Sequence, residues 1–244
     1  MESVLSIQRK SLLSGARQAE GISVTIDVLR AFTCAAYMMN LGAAKIVLLA
    51  EPDAVLKLKR DEGCLTVGEV GGQKVAGFDL GNSPTHIQAA GREFFAGRTV
   101  ALRTSAGVTG AVAAARRSEM VLLGSYVTAR AIASYIRNVS PQPEVVSLVA
   151  MGNAGLEVSP EDERCADYIE HLLTGRPYDH AAALLEIVEN EATQKFLRGD
   201  QDHYPPADPI YCLQRDIFDF VLVARLEEGQ LIARKTDVPQ ELDD

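Results

Sequence analysis

Apolar positions along this chain follow two alternating rhythms. The first is a short, nearly continuous run, seen in "ISVTID" (22–27), "KIVLLA" (45–50), "CLTVGE" (64–69), "RTVALRT" (98–104), "MVLLGS" (120–125) and "EVVSLVAMG" (144–152). Short β-rich runs bounded by turn residues predict strands buried on both faces. The second rhythm has helical spacing. Residues 30–43 carry Phe32, Ala36, Met39 and Ala43 on one side, and 51–63 opens with Pro in its first turn and ends on Gly. The stretch "THIQAAGREFF" and the segments 107–118 and 127–138 also predict helices, that at 107–118 built of small residues able to lie close to a sheet. Strand–helix alternation of this kind predicts an α/β fold, a three-layer α/β/α sandwich around a largely parallel or mixed sheet.

The alternation weakens after residue 152. Residues 159–175 predict a well-marked helix: Ser159 can cap it, Pro160 suits its first position, acids at 161–163 favour its positive end, and Gly175 stops it. Residues 179–199 predict a second helix with a glycine terminator, "PADPIYCLQRD" a short helix or turn, and 217–235 two strands around Glu228-Gly229. With no repeat, low-complexity tract or clear linker, residues 1–244 read as one compact unit, a division into lobes of about 1–152 and 153–244 staying open.

Composition narrows the function. A 47% hydrophobic chain of 244 residues can build a substantial core. A net charge of −9 makes it a poor nucleic-acid binder, since phosphate backbones need clustered Lys and Arg. The N-terminal stretch lacks the apolar block of a signal peptide and no apolar run spans a bilayer, so the expected compartment is the cytoplasm, without membrane partners. Cys34, Cys64, Cys165 and Cys212 form no zinc pattern and read as small buried residues. A homodimer is the base-rate expectation.

Ligands of open α/β sheets bind at the carboxyl ends of strands, and there the candidate chemistry gathers. Asp27 ends the first strand and Arg30 follows it; the pair reads as a helix cap with an ion pair, or as a metal ligand or nucleophile beside an anion-binding guanidinium. The run "GEVGGQKVAGFDLGNSP" (68–84) combines five glycines, the carboxylates Glu69 and Asp79, and the polar Asn82 and Ser83 after Gly81. Glycine-exposed amides can make an anion nest, and carboxylates beside such a nest fit a divalent cation bridging to phosphate. "RTSAG" (103–107) is a second such turn, where Thr104, Ser105 and the helix N-terminus at Gly107 could bind phosphate oxygens or simply cap the helix. Glu161 and Asp162 read as metal ligands or as dipole-complementing acids. The histidines form no ligand pattern, and a nicotinamide enzyme is disfavoured because "GEVGGQ" opens no helix.

Taken in order, "IDVLRAFTCAAY", "GEVGGQKVAGFDLGNSP", "RTSAG", "GSYVTARAIA", "PEDERCA" and "DPIYCLQRDIFDFV" resemble the 2-phosphosulfolactate phosphatase family over nearly the whole chain. The resemblance implies a three-layer α/β fold and Mg²⁺-dependent hydrolysis of a 2-hydroxy acid phosphate ester, 2-phospho-3-sulfolactate. A small anionic phosphate ester is then the expected partner. Asp27, Arg30 and Glu69 are the implied catalytic positions. Asp27, Glu69, Glu161 and Asp162 are the implied metal ligands. Gly81, Asn82, Ser83, Arg103, Thr104, Ser105 and Gly107 would hold the substrate, with Arg103 or Lys74 at its carboxylate or sulfonate.

The chain departs from the family at several points. Where the family usually reads T-T-N-G-T-R, it has Thr104-Ser105-Ala106-Gly107-Val108-Thr109, and Arg103 stands where Thr is common. His86 replaces a frequent Glu, and Tyr126-Val127-Thr128 replaces an aromatic-x-Asn. Losing partners of a charged substrate costs roughly 1.5–3 kcal/mol each, enough to alter which acid is accepted. A non-catalytic anion-binding protein on the same scaffold is the alternative.

Overall fold

The computed structural model describes residues 5–239. The predicted strands and helices of the first half are present. They are β2 (Ile22–Ile26), α2 (Ala31–Asn40), β3 (Lys45–Leu48), α3 (Pro52–Glu62) and β4 (Leu65–Val70), followed by α4 (Pro84–Phe95), β6 (Thr99–Arg103), α5 (Gly107–Ala114) and β7 (Met120–Gly124), then α6 (Ala129–Asn138) and β8 (Val145–Ala150). Three further elements are short and largely polar: the edge strand β1 (Ser6–Ser11), the single turn α1 (Leu12–Ala16), and β5 (Gln73–Lys74), which folds back on β4. Their apolar pattern is too weak to announce them. The second half holds α7 (Pro160–Thr174), α8 (His180–Glu189), α9 (Glu191–Leu197) and α10 (Asp208–Cys212), then the hairpin β9 (Phe220–Glu227) and β10 (Gln230–Asp237). The single predicted helix over 179–199 is two, broken at Asn190, whose side chain caps the second. No described helix is long and apolar enough to cross a membrane.

One mixed sheet takes all the strands, in the order β1-β8-β2-β7-β9-β10-β3-β6-β4-β5. β1, β8, β2 and β7 are mutually parallel, as are β3, β6 and β4. The C-terminal hairpin stands between these halves and pairs antiparallel with both. Three successive reversals leave β3, β6 and β4 running opposite to β7. The expected simple convergence of parallel strand ends on one edge is therefore not how the turns meet. β7 touches β9 only at Val121 and Leu122, and β3 touches β10 only at Ile46, Val47 and Leu48. The sheet curls about its long central hairpin, so that residues after β2 and β8 and residues after β4 and β6 line one cavity.

What fills the curl explains why it is stable. α2 is buried from Ala31 to Met39, and with α5 it packs against alternate side chains of both halves: Ile46, Leu48, Val100 and Leu102 from one, Val121, Leu123 and Val149 from the other. The small residues of α5 permit this closeness; a Cβ on Gly110 would lie 2.2 Å from Met151 Sδ. The intervening residues point outward, Val24, Leu122 and Leu148 under α6 and α7, Val47 and Ala101 under α3. Period-2 alternation thus assigns each strand's faces to two helical layers, the three-layer α/β arrangement. The largest core cluster runs from Ala16 to Ala233, with members on both sides of residue 152. All four cysteines are free and buried.

Phe220, fully buried at the start of the central hairpin and stacked on Phe218, tests this reading. Phe220→Ala is expected to cost about 3–5 kcal/mol, read from the denaturant midpoint. A cost below about 1 kcal/mol would show that the hairpin is not the joint between the halves.

Candidate active site

The turns after β2, β4, β6 and β8 are joined by carboxylates that accept backbone N–H groups. Asp27 Oδ1 accepts from Ala31 N–H at 2.9 Å, and Oδ2 from Gly107 N–H at 2.7 Å. Only glycine allows that approach, because a Cβ on residue 107 would lie 2.6 Å from Asp27 Oδ2 and 2.8 Å from Ala31 Cβ. Glu69 Oε1 accepts from Ser105 N–H at 2.6 Å, while Oε2 accepts from Gly72 N–H at 2.7 Å and Ser105 Oγ at 3.1 Å. Asp162, in the first turn of α7, accepts from Val28 N–H at 2.7 Å and Gly152 N–H at 2.8 Å. The amides of Gly72, Ser105 and Gly107, expected among the nest donors, are therefore occupied by the protein's own acids. Thr104 likewise acts as a cap, its Oγ1 accepting from Val108 N–H at 3.0 Å.

These acids crowd. Burial, then Glu69 and Glu161, push the Asp27 carboxyl up to about 6. Burial, then Asp27 and Glu161, hold Asp162 well above the ordinary carboxylate range, and burial raises Glu161. Desolvation disfavours each charged form and neighbouring carboxylates add repulsion.

Asp27, Glu69 and Glu161 line one cavity of about 170 Å³, with Asn82, Ser105 and Ala106 between them. Arg30 and Lys195 line the same cavity. Arg30 is buried; its Nη1 donates to Asp208 Oδ2 and to the His203 carbonyl, each at 2.8 Å, and its guanidinium lies 5.0 Å from the Phe196 ring centroid and 5.3 Å from that of Tyr204. Asp208 is fully buried, and its Oδ1 also accepts from Ser83 Oγ at 2.8 Å and Thr85 Oγ1 at 2.6 Å. That carboxylate locks the 81–84 turn to the guanidinium. Lys195, on α9, lies 4.7 Å from the Tyr204 ring centroid and has neither ion pair nor hydrogen bond among the described residues. Burial and Arg30 lower its ammonium pKa, against Glu161 and Glu69, which raise it.

Of the residues singled out from sequence, Asp27, Arg30, Glu69, Asn82, Ser105 and Glu161 face this cavity. Gly107 adjoins it through Asp27. Asp162 does not line it, because both its oxygens are turned to backbone amides. Arg103 donates from Nε to the Ala50 carbonyl and from Nη1 to the Glu69 carbonyl and Ser105 Oγ, and it does not line this cavity. Ser83 serves Asp208 and the start of α4, and Gly81 lies beyond the wall, where Lys74 approaches it. Asp79 binds Lys59 Nζ at 2.7 Å and Thr66, fastening its loop to β4. Sequence reading missed Lys195, Tyr204 and Asp208. The motif "DPIYCLQRDIFDFV" contained Asp208, whereas nothing in the helical pattern of 179–199 distinguishes Lys195 from a surface lysine.

Mg²⁺ suits the donors present. Three carboxylates and an amide supply the hard oxygens it takes, and two of those atoms, Glu161 Oε2 and Asn82 Oδ1, are buried without any hydrogen-bond partner. Among the described residues no three acidic, His or Cys side chains form a ready-made cluster. An ion here would use few carboxylates and retain waters, as Mg²⁺ commonly does.

Comparison with known proteins gives a consistent picture. The chain matches the sequence model of 2-phosphosulpholactate phosphatase over residues 7–227. It is 29% identical over 212 residues to a Bacillus subtilis protein named probable 2-phosphosulfolactate phosphatase, covering 86% of this chain and 89% of the relative. Proteins of the same name from Carboxydothermus hydrogenoformans and Thermus thermophilus are 31% and 36% identical, over 86% and 68% of this chain and 88% and 69% of theirs.

Two substitutions separate fastening acids from ligand-facing ones. Asp162→Ala strands two buried amides and is expected to cost about 2–6 kcal/mol, at roughly 1–3 per unsatisfied group. Glu161→Gln is expected to do the reverse in metal-free protein. Its folded-state pKa is raised, so ionisation opposes folding; that cost is absent below the unfolded value of about 4.3 and complete above the raised one. Calorimetry should show a higher Tm for Glu161→Gln near pH 7.5 and no difference near pH 4. A lower Tm at neutral pH would mean that Glu161 is a structural acid like Asp162.

Proposed function

The chain belongs to the 2-phosphosulfolactate phosphatase family, and from that premise we propose that it hydrolyses the phosphate monoester of a 2-hydroxy acid, with Mg²⁺, in the cavity between Asp27 and Lys195. One observation carries the reading at this site. One cavity is lined by carboxylates, with unpartnered oxygens on Glu161 and Asn82, and by an ammonium without an ion pair and a guanidinium held by Asp208.

Phosphoryl transfer requires placement and charge neutralisation more than covalent chemistry. Mg²⁺ would be held by the unpartnered Glu161 and Asn82 oxygens with retained waters, beside the amide-bound carboxylates of Asp27 and Glu69, and when bound it would offset charge on the phosphoryl oxygens. Lys195, beside the Tyr204 ring, donates to a phosphoryl oxygen in the same cavity. Arg30 cannot swing, because Asp208 and the His203 carbonyl hold one end of its fork. It therefore presents a fixed donor edge to the cavity. Asp27 is held by two N–H donors with its carboxylate toward the same space, placed to attack phosphorus or to orient a water.

The altered 104–109 turn bears on the acid rather than on the phosphate. Ala106 lines the cavity without offering a hydrogen bond, Val108 is buried, and Thr109 Oγ1 donates to the Thr104 carbonyl. Recognition of the organic acid thus passes to other residues, and an acid other than sulfolactate is the expected physiological substrate.

Phosphate release from 2-phosphosulfolactate and 2-phospholactate is expected with Mg²⁺ and is expected to stop on chelation. Lys195→Ala should lower kcat/KM roughly 10- to 150-fold, the ~1.5–3 kcal/mol of a hydrogen bond to a charged group. Asp27→Asn should abolish turnover, and rapid quench of the wild type with labelled ester shows whether Asp27 becomes phosphorylated. Absence of release from every ester tested, with phosphate still bound, would replace the enzyme by a phosphate-binding protein.

A further inference from the structure

Two cations at the cavity share one pair of aromatic rings. The Arg30 guanidinium lies 5.0 Å from the Phe196 ring centroid and 5.3 Å from that of Tyr204, and the Lys195 ammonium lies 5.4 Å and 4.7 Å from the same two. All four residues line the cavity. We propose that Tyr204 is the third donor of this group, its hydroxyl giving a hydrogen bond to a phosphoryl oxygen of the ester. The inference rests on the phosphatase reading of the cavity and adds a substrate-binding residue to it.

The surroundings of the ring fix where the hydroxyl lies. Phe196 packs edge-on against it with centroids 4.9 Å apart, and the His203 ring lies at 4.3 Å. Its Oη abuts Gly72, where a Cβ would fall 2.1 Å from the oxygen, so any larger residue would displace the hydroxyl. Arg30 reaches the same glycine. Its Nη2 lies 3.5 Å from the Gly72 carbonyl, too long for a strong bond, whereas Nη1 is engaged by Asp208 and the His203 carbonyl. Tyr204 Oη and the loosely held nitrogen of Arg30 therefore adjoin one residue. Among the described residues neither Tyr204 Oη nor Lys195 Nζ makes a hydrogen bond.

A phenol beside two cations is placed for an anion. Like charges near the same rings repel, and the ring faces offset part of that repulsion, at about 0.5–2 kcal/mol per contact. Those contacts need only a ring, as Phe196 shows. The hydroxyl adds nothing to them, and it rests against a bare glycine instead of a partner. Glu69, the acid that holds the Gly72 turn, already accepts from Gly72 N–H and Ser105 Oγ through its Oε2, which leaves the phenol proton for a ligand. Of the two cations, Arg30 has the counter-acid Asp208, and Lys195 has no ion pair among the described residues. A phosphoryl group supplies the missing negative charge and has oxygens enough to accept from ammonium, guanidinium and phenol together.

Tyr204→Phe keeps the ring and removes only the hydroxyl, so it tests the proposal without disturbing either cation. With Mg²⁺ and 2-phospholactate or 2-phosphosulfolactate, kcat/KM should fall roughly tenfold or more, as for loss of a hydrogen bond to a charged group. The Tm should stay within about 1 °C of wild type, because the hydroxyl has no partner in the protein to lose. An unchanged kcat/KM would overturn the proposal. So would a Tm lower by several degrees, which would show that the hydroxyl holds the fold, or a raised Mg²⁺ requirement with unchanged affinity for inorganic phosphate, which would assign it to Glu69. Should the wild type release phosphate from neither ester, the phosphatase reading falls separately. Calorimetric titration with inorganic phosphate in the presence of Mg²⁺ then decides. Weaker binding by Tyr204→Phe than by wild type supports the hydroxyl as a phosphate donor, and equal binding, or none by the wild type, refutes it.

Discussion

The structure depends on buried carboxylates accepting backbone N–H groups across turns that are far apart in sequence. Asp27 ties the end of β2 to the start of α5, Glu69 ties the end of β4 to Ser105, and Asp162 ties α7 to the ends of β2 and β8. A neutral acceptor could satisfy the same amides. A carboxylate does so more strongly, since hydrogen bonds to an ionised acceptor are roughly twice as strong as neutral ones. It also leaves lone pairs directed into the cavity. The cost is desolvation, to which neighbouring carboxylates add repulsion, and it shows in the raised pKa of Asp27 and of Asp162. A purely structural solution would avoid that cost, so its retention marks the place as functional.

The opposed halves of the sheet make this arrangement available. In a uniformly parallel sheet, the turns after β2 and after β4 would lie along one edge, many strand spacings apart. Inserting an antiparallel hairpin and curling the sheet around α2 and α5 brings them together across the 105–107 turn, where Ser105 N–H meets Glu69 and Gly107 N–H meets Asp27. The price is a buried central helix, which α2 meets by being apolar on all sides.

How much of this was legible in the sequence follows from the range of each interaction. Strands such as 120–125 and the hairpin around Glu228-Gly229 were readable because local apolar runs and turn residues specify them. The hairpin's place in the middle of the sheet was not, because period-2 alternation says which face is buried but nothing about which strand lies alongside. The same holds at the site. Glu69, Asn82 and Ser105 were found because glycine-bearing turns after strands advertise them, and Asp27 because a carboxylate ends an apolar strand. Whether a polar side chain there faces a ligand or a helix end is decided by neighbours from elsewhere in the chain, and so Thr104, Arg103 and Asp162 turned inward. Lys195 was hidden for the opposite reason: its helix has no unusual pattern, and it matters only because α9 packs beside Tyr204.

Charge at the cavity then constrains the order of events. Arg30 is balanced by Asp208, which leaves the ammonium of Lys195 facing Asp27, Glu69 and Glu161. A phosphate dianion entering alone would add to an excess of negative charge, and the backbone amides that might have compensated it are already engaged. A divalent cation entering alone meets carboxylates but little else to complete its shell. In the proposed reaction each ligand would supply what the other lacks, and their binding would be coupled, with the same free energy appearing in either order of addition. The protein's acids hold the turns in place, and the charge balance would be completed only when cation and ester are both present.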